Sequence, residues 1–255
     1  MSITDTPPSL RRSSLYHPIC NTYLCLFKHE FWKTTIRDVR RFYSGFVRPG
    51  ALAFDVGANV GTYSKMFLSL GASVVAIEPT PSLIKDLRRI PRLKVEGCAL
   101  GDADGVLPLS VSKLNHLNSL VPSWEKQIAG THGGQPVNVP VTTLDALVAK
   151  YGMPDFIKVD VEGYEFKVLS GLSKMPKYLG FEFHAAEIEA AIACINRLQG
   201  CQFNYCLGEP GQLALREWVG EKEICDLLWT LPRDWQRFGD IFAASQKPPS
   251  TLSAG

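Results

Sequence analysis

The sequence has few of the features that mark zinc-binding, disulfide-rich, membrane-spanning or nucleic-acid-binding proteins. Its seven cysteines are odd in number and include no C-x-x-C pair, so neither a zinc site nor a disulfide framework is expected. No apolar run reaches the ~18 residues of a membrane helix. The net charge is +2, which gives no electrostatic reason to expect nucleic acid or an acidic membrane as a partner. We therefore expect a protein of the reducing cytoplasm without a membrane span.

The composition that remains is that of a globular protein. Hydrophobic residues make up 45% of the 255 residues and charged residues 20%, which suits one large domain with an appendage. We expect residues 1–34 to form a partly disordered N-terminal extension, residues 35–245 to form the domain, and residues 246–255 to form a disordered tail. A helical pattern over residues 31–47 is expected to end at Pro49-Gly50.

Beyond that helix, short apolar runs alternate with helical patterns. The apolar runs are ALAFDV, SVVAIE, LKVEGCAL, DFIKVDV and YLGFEF, and amphipathic segments such as GTYSKMFLSLG and AAEIEAAIACINRLQ follow them. Continuous apolar strands separated by helices indicate a mostly parallel sheet that is covered on both faces. The sequence therefore predicts an α/β domain with a doubly wound sheet.

One stretch, residues 103–141, interrupts the alternation. It contains VLPLSVS, a polar glycine-rich middle, and VNVPV. We interpret it as a hairpin or loop inserted between the third and fourth main strands. Insertions beside the carboxyl edge of a sheet often shape a substrate site, although a surface excursion without a role fits the pattern equally well.

The segment FDVGANVG suggests a nucleotide-sized ligand at the end of the first strand. It should bring Asp55 and Gly57 to the carboxyl edge of the sheet, where doubly wound folds bind ligands. Glycine lets the backbone take a positive φ and lets a ligand approach closely. Asn59 and Gly61 complete the turn, and Gly61 precedes a helix whose free N–H groups favour an anion. A plain strand-to-helix turn is the simpler alternative.

A second acid strengthens the nucleotide interpretation. Glu78 ends the next strand and is placed to accept hydrogen bonds from two ribose hydroxyls. Its position argues against a 2′-phosphate and leaves NAD and S-adenosylmethionine. The aspartate before the glycine turn, Asp55, would oppose a pyrophosphate and favour a cationic amino group, so charge favours the methyl donor. Asp102, after the third strand, is a further candidate near the adenine, or else a turn residue.

A second group of polar residues ends the later strands. Asp160 and Glu162 follow one strand, and Glu182 and His184 lie two apart at the end of the next, so the latter two share a face. A histidine suits the base that removes a hydroxyl proton, and Asp160 could orient the acceptor or the ammonium group of the donor. The alternatives are a helix cap for Glu162, a structural histidine, or a divalent cation held by the four together. Lys158, inside an apolar strand, is expected either to extend its ammonium group to solvent or to pair with an acid.

Together these motifs resemble the FkbM family of S-adenosylmethionine-dependent methyltransferases over roughly residues 35–245. The resemblance rests on FDVGANVGTYS, VVAIEPTP, EGCALGD, VTTLDAL, IKVDVEGYE, GFEFH and GDIFA. It implies a Rossmann-like class I methyltransferase fold and, usually, O-methylation of a small molecule or saccharide. It also implies that the cofactor residues are Asp55, Gly57, Asn59, Gly61 and Glu78, with Asp102 as a further candidate.

We therefore expect an S-adenosylmethionine-dependent O-methyltransferase with His184, Asp160 and Glu162 in catalytic roles and without a resident metal. Two rival functions remain open on the same fold. One is an NAD-dependent oxidoreductase, which Asn59 in the glycine turn disfavours. The other is a non-catalytic module that binds the nucleoside. The acceptor and the oligomeric state do not follow from the sequence.

Overall fold

The computed structural model describes residues 37–109, 136–208, 210–234 and 237–248. The N-terminal extension and the tail beyond residue 248 lie outside the described residues, as does the start of the helix predicted over residues 31–47. Its described part, α1, is helical over residues 37–43 and ends before Pro49-Gly50, since proline and glycine both disfavour continuation of a helix.

A seven-stranded sheet forms the centre of the fold, in the order β3-β2-β1-β7-β8-β10-β9. Its strands are β1 (Leu52–Val56), β2 (Ser73–Ile77), β3 (Lys94–Glu96), β7 (Phe156–Val159), β8 (Tyr178–His184), β9 (Gln202–Tyr205) and β10 (Phe238–Ala244). The pairings from β3 to β8 are parallel, and β10 runs antiparallel between β8 and β9. This sheet confirms the predicted fold class, a doubly wound and mostly parallel α/β fold of the Rossmann-like type.

Helices cover both faces of the sheet, as the continuous apolar strands predict. In chain order they are α2 (Thr62–Ser69), α3 (Pro81–Leu87), α4 (Leu144–Tyr151), α5 (Glu165–Ser170), α6 (Ile188–Arg197) and α7 (Glu221–Trp229). On one face, Tyr43 of α1 and Phe67 of α2 pack against Phe156 of β7. On the other, Val168 of α5 belongs to the same buried cluster as Ile157 of β7.

The inserted segment forms part of a second, three-stranded sheet. Strand β5 (Gly105–Leu109) pairs antiparallel with β6 (Val137–Thr142), and β4 (Ala99–Leu100) pairs parallel with β6. The expected hairpin is thus present in its two strands, while residues 110–135 between them lie outside the described part of the chain.

The sequence predicted a single third strand where the structure has two. LKVEGCAL is split at Gly97-Cys98: β3 pairs with β2, and β4 turns away to pair with β6. An apolar run reveals that its residues are buried but not which sheet buries them. Strands β9 and β10 and helix α7 were not predicted, and the two strands complete the far edge of the main sheet.

Across the described ranges, no helix has both the length and the apolar character that a membrane crossing requires.

Candidate active site

A cavity of about 380 Å³ opens at the carboxyl ends of β1, β2, β7 and β8. Five of the residues predicted from the sequence line it: Gly57, Asn59, Glu78, Asp160 and Glu162. Its volume lies in the range of small-molecule and cofactor sites. The structure therefore brings most of the predicted site residues together at the edge where doubly wound sheets bind ligands.

Gly57 forms the floor of the cavity and has no room for a side chain. Its φ is +81°, and a Cβ built on it would lie 1.8 Å from the carbonyl oxygen of Asp160. Its N–H donates to the carbonyl of Ile77 over 3.0 Å. Glycine is required here because the turn needs a left-handed conformation and because two backbone segments touch.

The carboxylate of Glu78 is fixed by two backbone N–H groups. Its Oε2 accepts from Asn59 and its Oε1 accepts from Thr80, each over 2.9 Å, and the residue is only 5% exposed. A carboxylate has about four acceptor positions. Two positions on Glu78 therefore remain for a ligand in the cavity, and their direction is set by the backbone.

Two of the predicted cofactor residues, Asp55 and Gly61, lie outside the cavity lining. Asp55 is buried and accepts a hydrogen bond from Ser64 Oγ on α2 over 2.6 Å, because alternation along β1 turns its side chain toward that helix. Burial raises the pKa of Asp55 to about 6. Gly61, at φ +77°, lies where a Cβ would meet Leu87 of α3 at 2.7 Å, so it serves packing.

Asp102 also lies apart from the cavity lining. Its carboxylate is about half exposed and pairs with Lys167 over 2.6 Å. The apolar residues before it, Cys98 and Leu100, line the cavity in its place. The break between β3 and β4 explains this difference from the prediction. After the break the chain leaves the central sheet, so Asp102 does not follow a strand of that sheet.

Two pairs of charged side chains are aligned across neighbouring strands at the cavity end of the sheet. Lys158 of β7 is aligned with Asp55 of β1, and Asp240 of β10 is aligned with Glu182 of β8. The Lys158 ammonium donates to Asp160 Oδ2 over 2.8 Å and lies 4.3 Å from the centre of the Tyr63 ring. Burial alone would lower the pKa of Lys158, but the charges of Asp160 and Asp240 raise it well above its ordinary value. This buried cation thus partly neutralises the acids around it.

Glu162 occupies a constrained turn between β7 and α5. Its φ is +56°, an uncommon value for a residue other than glycine. Glu165 stabilises the turn, because its Oε1 accepts hydrogen bonds from the N–H groups of Val161 and Gly163 over 3.1 and 3.2 Å. Burial, with the neighbouring charges of Asp160 and Glu165, raises the pKa of Glu162 to about 9. Glu162 therefore presents a carboxyl group that keeps its proton at neutral pH.

We expect Glu165→Gln to remove one contribution to the pH dependence of the free energy of unfolding between about pH 4.5 and 7. Burial raises the pKa of Glu165 from 4.5 to about 7 although two N–H groups donate to it. The native state then keeps a proton that the unfolded chain has lost, so the free energy of unfolding falls as the pH rises, by about 3 kcal/mol across this window. Glutamine resembles the protonated acid and lacks this fall.

Urea unfolding at pH 4.5, 5.5, 6.5 and 7.5 checks this expectation. The slope that comes from Asp55 and Glu162 should persist in the variant. The exposed Glu189, which pairs with Arg233, provides Glu189→Gln as a control with the wild-type slope. A slope in Glu165→Gln equal to that of the wild type would contradict the assignment.

Glu162, Glu182 and His184 bring one ligand atom each within 4.8 Å of one another. His184 Nε2 lies 3.8 Å from Glu182 Oε2, since both side chains leave the same face of β8. Glu182 lines the large cavity and also a neighbouring one of about 30 Å³ that contains His184. Burial, together with the charges of Asp160 and Glu162, raises the pKa of Glu182 well above its ordinary value.

The sequence left some residues of the candidate site without a catalytic role. It placed Glu182 beside His184 and in an alternative set of cation ligands, and it assigned nothing to Tyr63 or Glu165. Both Glu182 and Tyr63 line the cavity. The sequence signal for Glu182 was its two-residue spacing from His184, whereas Tyr63 and Glu165 lie in helical patterns that carry no such signal.

Residues 55–228, from β1 into α7, match the protein family described as the methyltransferase FkbM domain. The methyltransferase sdnD of Sordaria araneosa is 26% identical to this chain, and the match covers 68% of this chain and 79% of the relative.

Solved structures match the chain at low identity and with low TM-scores. The precorrin-6y C5,15-methyltransferase of Geobacter metallireducens GS-15 is 9% identical with a TM-score of 0.43, covering 84% of this chain and 87% of that one. An rRNA methylase of Streptococcus thermophilus is 11% identical with a TM-score of 0.41, covering 81% of this chain and 94% of that one.

Proposed function

Since the chain belongs to the FkbM methyltransferase family, as its motifs predicted, we propose that it binds S-adenosylmethionine in the 380 Å³ cavity and methylates a hydroxyl group. The acceptor is a small molecule or a saccharide. Family membership separates the chain from the NAD-dependent oxidoreductases that the sequence had left open.

The observation that carries the cofactor proposal is the fixed carboxylate of Glu78. Two N–H groups hold it at the end of β2, and its two remaining acceptor positions suit the paired hydroxyls of a ribose. Gly57 and Asn59 line the cavity beside it. A nucleoside with its ribose on Glu78 would extend along the cavity toward Asp160.

The charge of the cavity favours a cationic donor. Asp160 lines it, and its carboxylate would repel a pyrophosphate at this end. The sulfonium and ammonium groups of S-adenosylmethionine are attracted instead. The sequence assigned this charge selection to Asp55, but the partly exposed carboxylate of Asp160 is the better candidate because Asp55 is buried under α2.

The acceptor hydroxyl would lie beside the carboxylates at the end of β7 and β8. Methyl transfer is an in-line displacement, so the enzyme must align the oxygen with the methyl group, exclude water and remove a proton. Asp160 and Glu162 face the cavity and can orient the hydroxyl. His184 lies behind Glu182 and would act on the acceptor through that carboxylate or through a bound group.

A thermal melt tests the cofactor proposal directly. Ligand at 100 times its dissociation constant adds about 2.7 kcal/mol of stability, which for a chain of this size raises Tm by several degrees at ~2–4 °C per kcal/mol. We expect such a shift with S-adenosylmethionine and with its demethylated product, and none with NAD. A shift with NAD alone would refute the proposal. A positive result justifies a screen of hydroxyl acceptors with a radiolabelled methyl donor.

We expect Glu78→Gln to weaken S-adenosylmethionine binding about 10- to 100-fold, because hydrogen bonds to a charged group contribute about 1.5–3 kcal/mol. The amide also turns an NH₂ group toward one of the two backbone donors. Isothermal titration calorimetry measures the dissociation constant, with Glu189→Gln as a surface control that should bind as the wild type does. Equal affinity in Glu78→Gln and the wild type would remove Glu78 from the cofactor site.

A further inference from the structure

Two carboxylates and an imidazole meet at one end of the cavity, in a set that we name the EEH cluster: Glu162, Glu182 and His184. We propose that the EEH cluster binds a divalent cation of the Mg²⁺/Mn²⁺ class, and that this cation binds the oxygen of the methyl acceptor. The contact between this cation and the acceptor oxygen rests on the proposed function, whereas the binding of the cation concerns the cluster alone.

The spacing of the ligand atoms suits one small cation. The three atoms lie within 4.8 Å of one another, and Nε2 of His184 is 3.8 Å from Oε2 of Glu182. Neighbouring ligands around a cation bound at about 2.1 Å are about 3 Å apart in octahedral geometry. Small side-chain rotations therefore bring the three atoms onto one ion, without movement of the strands.

The ligands come from two elements whose positions are already fixed. Glu182 and His184 leave the same face of β8, and both are paired with residues of β10. Glu162 lies in the turn that Glu165 holds by accepting hydrogen bonds from Val161 and Gly163. A cation would therefore join the turn after β7 to the end of β8 without a cost for ordering a mobile loop.

The surroundings of the EEH cluster are acidic. Asp240 is aligned with Glu182 across the strand pair, Asp160 lines the same cavity, and the ammonium group of Lys158 donates to Asp160 over 2.8 Å. A divalent ion would take the place of any proton on Glu162 and Glu182 and would be attracted by both carboxylates. Oxygen ligands suit Mg²⁺ and Mn²⁺, and the single imidazole suits Mn²⁺ better than Ca²⁺.

The position of the cluster connects the cation to the acceptor. Glu162 and Glu182 line the large cavity, whereas Glu182 and His184 line the small one behind it. An ion held by all three would lie at the boundary of the two cavities. A hydroxyl of the acceptor bound to it would be oriented and would pass its proton more readily to Asp160, which lines the same large cavity, because a Lewis acid lowers the pKa of a bound oxygen.

The test uses the full chain, stripped of metal with a chelator and titrated with Mn²⁺ while electron paramagnetic resonance follows the free ion. We expect one saturable Mn²⁺ that Mg²⁺ displaces. Electron spin-echo modulation should detect one directly bound imidazole nitrogen. Glu182→Gln should weaken Mn²⁺ binding at least 10-fold, and His184→Asn should abolish the nitrogen modulation. Glu189→Gln, a surface carboxylate paired with Arg233, should bind Mn²⁺ as the wild type does.

Several outcomes would overturn the inference. They are the absence of a saturable Mn²⁺, a bound Mn²⁺ without nitrogen modulation, or unchanged binding in folded Glu182→Gln. The nitrogen signal needs only the wild-type protein, so a variant that fails to fold leaves the test intact. The melts with S-adenosylmethionine report separately on the proposed function. Mn²⁺ binding without a donor-induced rise in Tm would support the ion site and refute the methyl-donor site. A donor-induced rise in Tm without Mn²⁺ binding would support the methyl-donor site and refute the ion site.

Discussion

Gly57→Ala is expected to destabilise the protein by about 2–5 kcal/mol and to abolish measurable S-adenosylmethionine binding. A Cβ at this position would lie 1.8 Å from the carbonyl oxygen of Asp160, far inside any permitted contact. The backbone φ of +81° adds strain for any residue with a side chain. The clash between the added Cβ and this carbonyl oxygen can be relieved if the end of β7 moves away from β1. This movement would carry Asp160 out of the cavity wall.

Gly50→Ala is a matched control for this substitution. Gly50 has nearly the same φ, +82°, but a Cβ built there meets no atom within 4 Å. It should therefore show the conformational strain alone, about 1–2 kcal/mol, with unchanged affinity for S-adenosylmethionine. Urea unfolding and calorimetry measure both quantities. If the two alanine variants lose the same stability and bind the donor equally, the contact between Gly57 and Asp160 has no role.

Lys158→Met is expected to lower the free energy of unfolding by about 3–5 kcal/mol at neutral pH, because it leaves buried carboxylates without their cation. Lys158 is 2% exposed, donates to Asp160 over 2.8 Å and packs over the ring of Tyr63. Methionine fills a similar volume, so the loss reports on charge and not on a cavity. For a chain of this size Tm should fall by about 6–20 °C.

The pH dependence of this variant separates electrostatics from packing. Without Lys158, the carboxyl groups around it take up protons in the native state, so the deficit should narrow as the pH falls toward 5. Lys222→Met is the control, since Lys222 is exposed and pairs with Asp226 on the surface of α7; exposed pairs of this kind contribute little. A deficit of Lys158→Met that does not change with pH would contradict an electrostatic role.

These two predictions concern the same structural feature, the junction between β1 and β7. Gly57 allows the two strand ends to touch, and Lys158 neutralises the acids that gather where they meet. The strand register aligns Asp55 with Lys158. Neither residue acts on a substrate in our proposal. Both determine where the carboxylate of Asp160 lies relative to the donor.

Much of the site could be predicted from sequence because it depends on local patterns. A glycine turn after an apolar strand predicted the position of Gly57, and an acid at the end of the next strand predicted that of Glu78. Both line the cavity. Strand alternation predicted that Glu182 and His184 share a face, and the distance of 3.8 Å between their side-chain atoms agrees with it. The roles assigned to these residues remain proposals.

Other parts of the site depend on contacts between distant segments and could not be predicted. The sequence offered Asp55 and Asp102 as cofactor ligands, but α2 covers the first, and the split between β3 and β4 carries the second to the surface beside Lys167. The support of Glu162 by Glu165 and the environment of Lys158 depend likewise on the neighbours that folding brings together.

The sequence by itself determined the fold class, the family and the edge of the sheet that carries the site. Each of these follows from spacing along the chain: periods of apolar residues, turns rich in glycine, and acids at strand ends. Only the tertiary structure decided which acids face the cavity, which are buried beneath it, and that Glu162, Glu182 and His184 come within reach of one ion. Burial and charge pairing depend on residues that are far apart in sequence. The strand register determines which of these residues meet, and no local pattern specifies it.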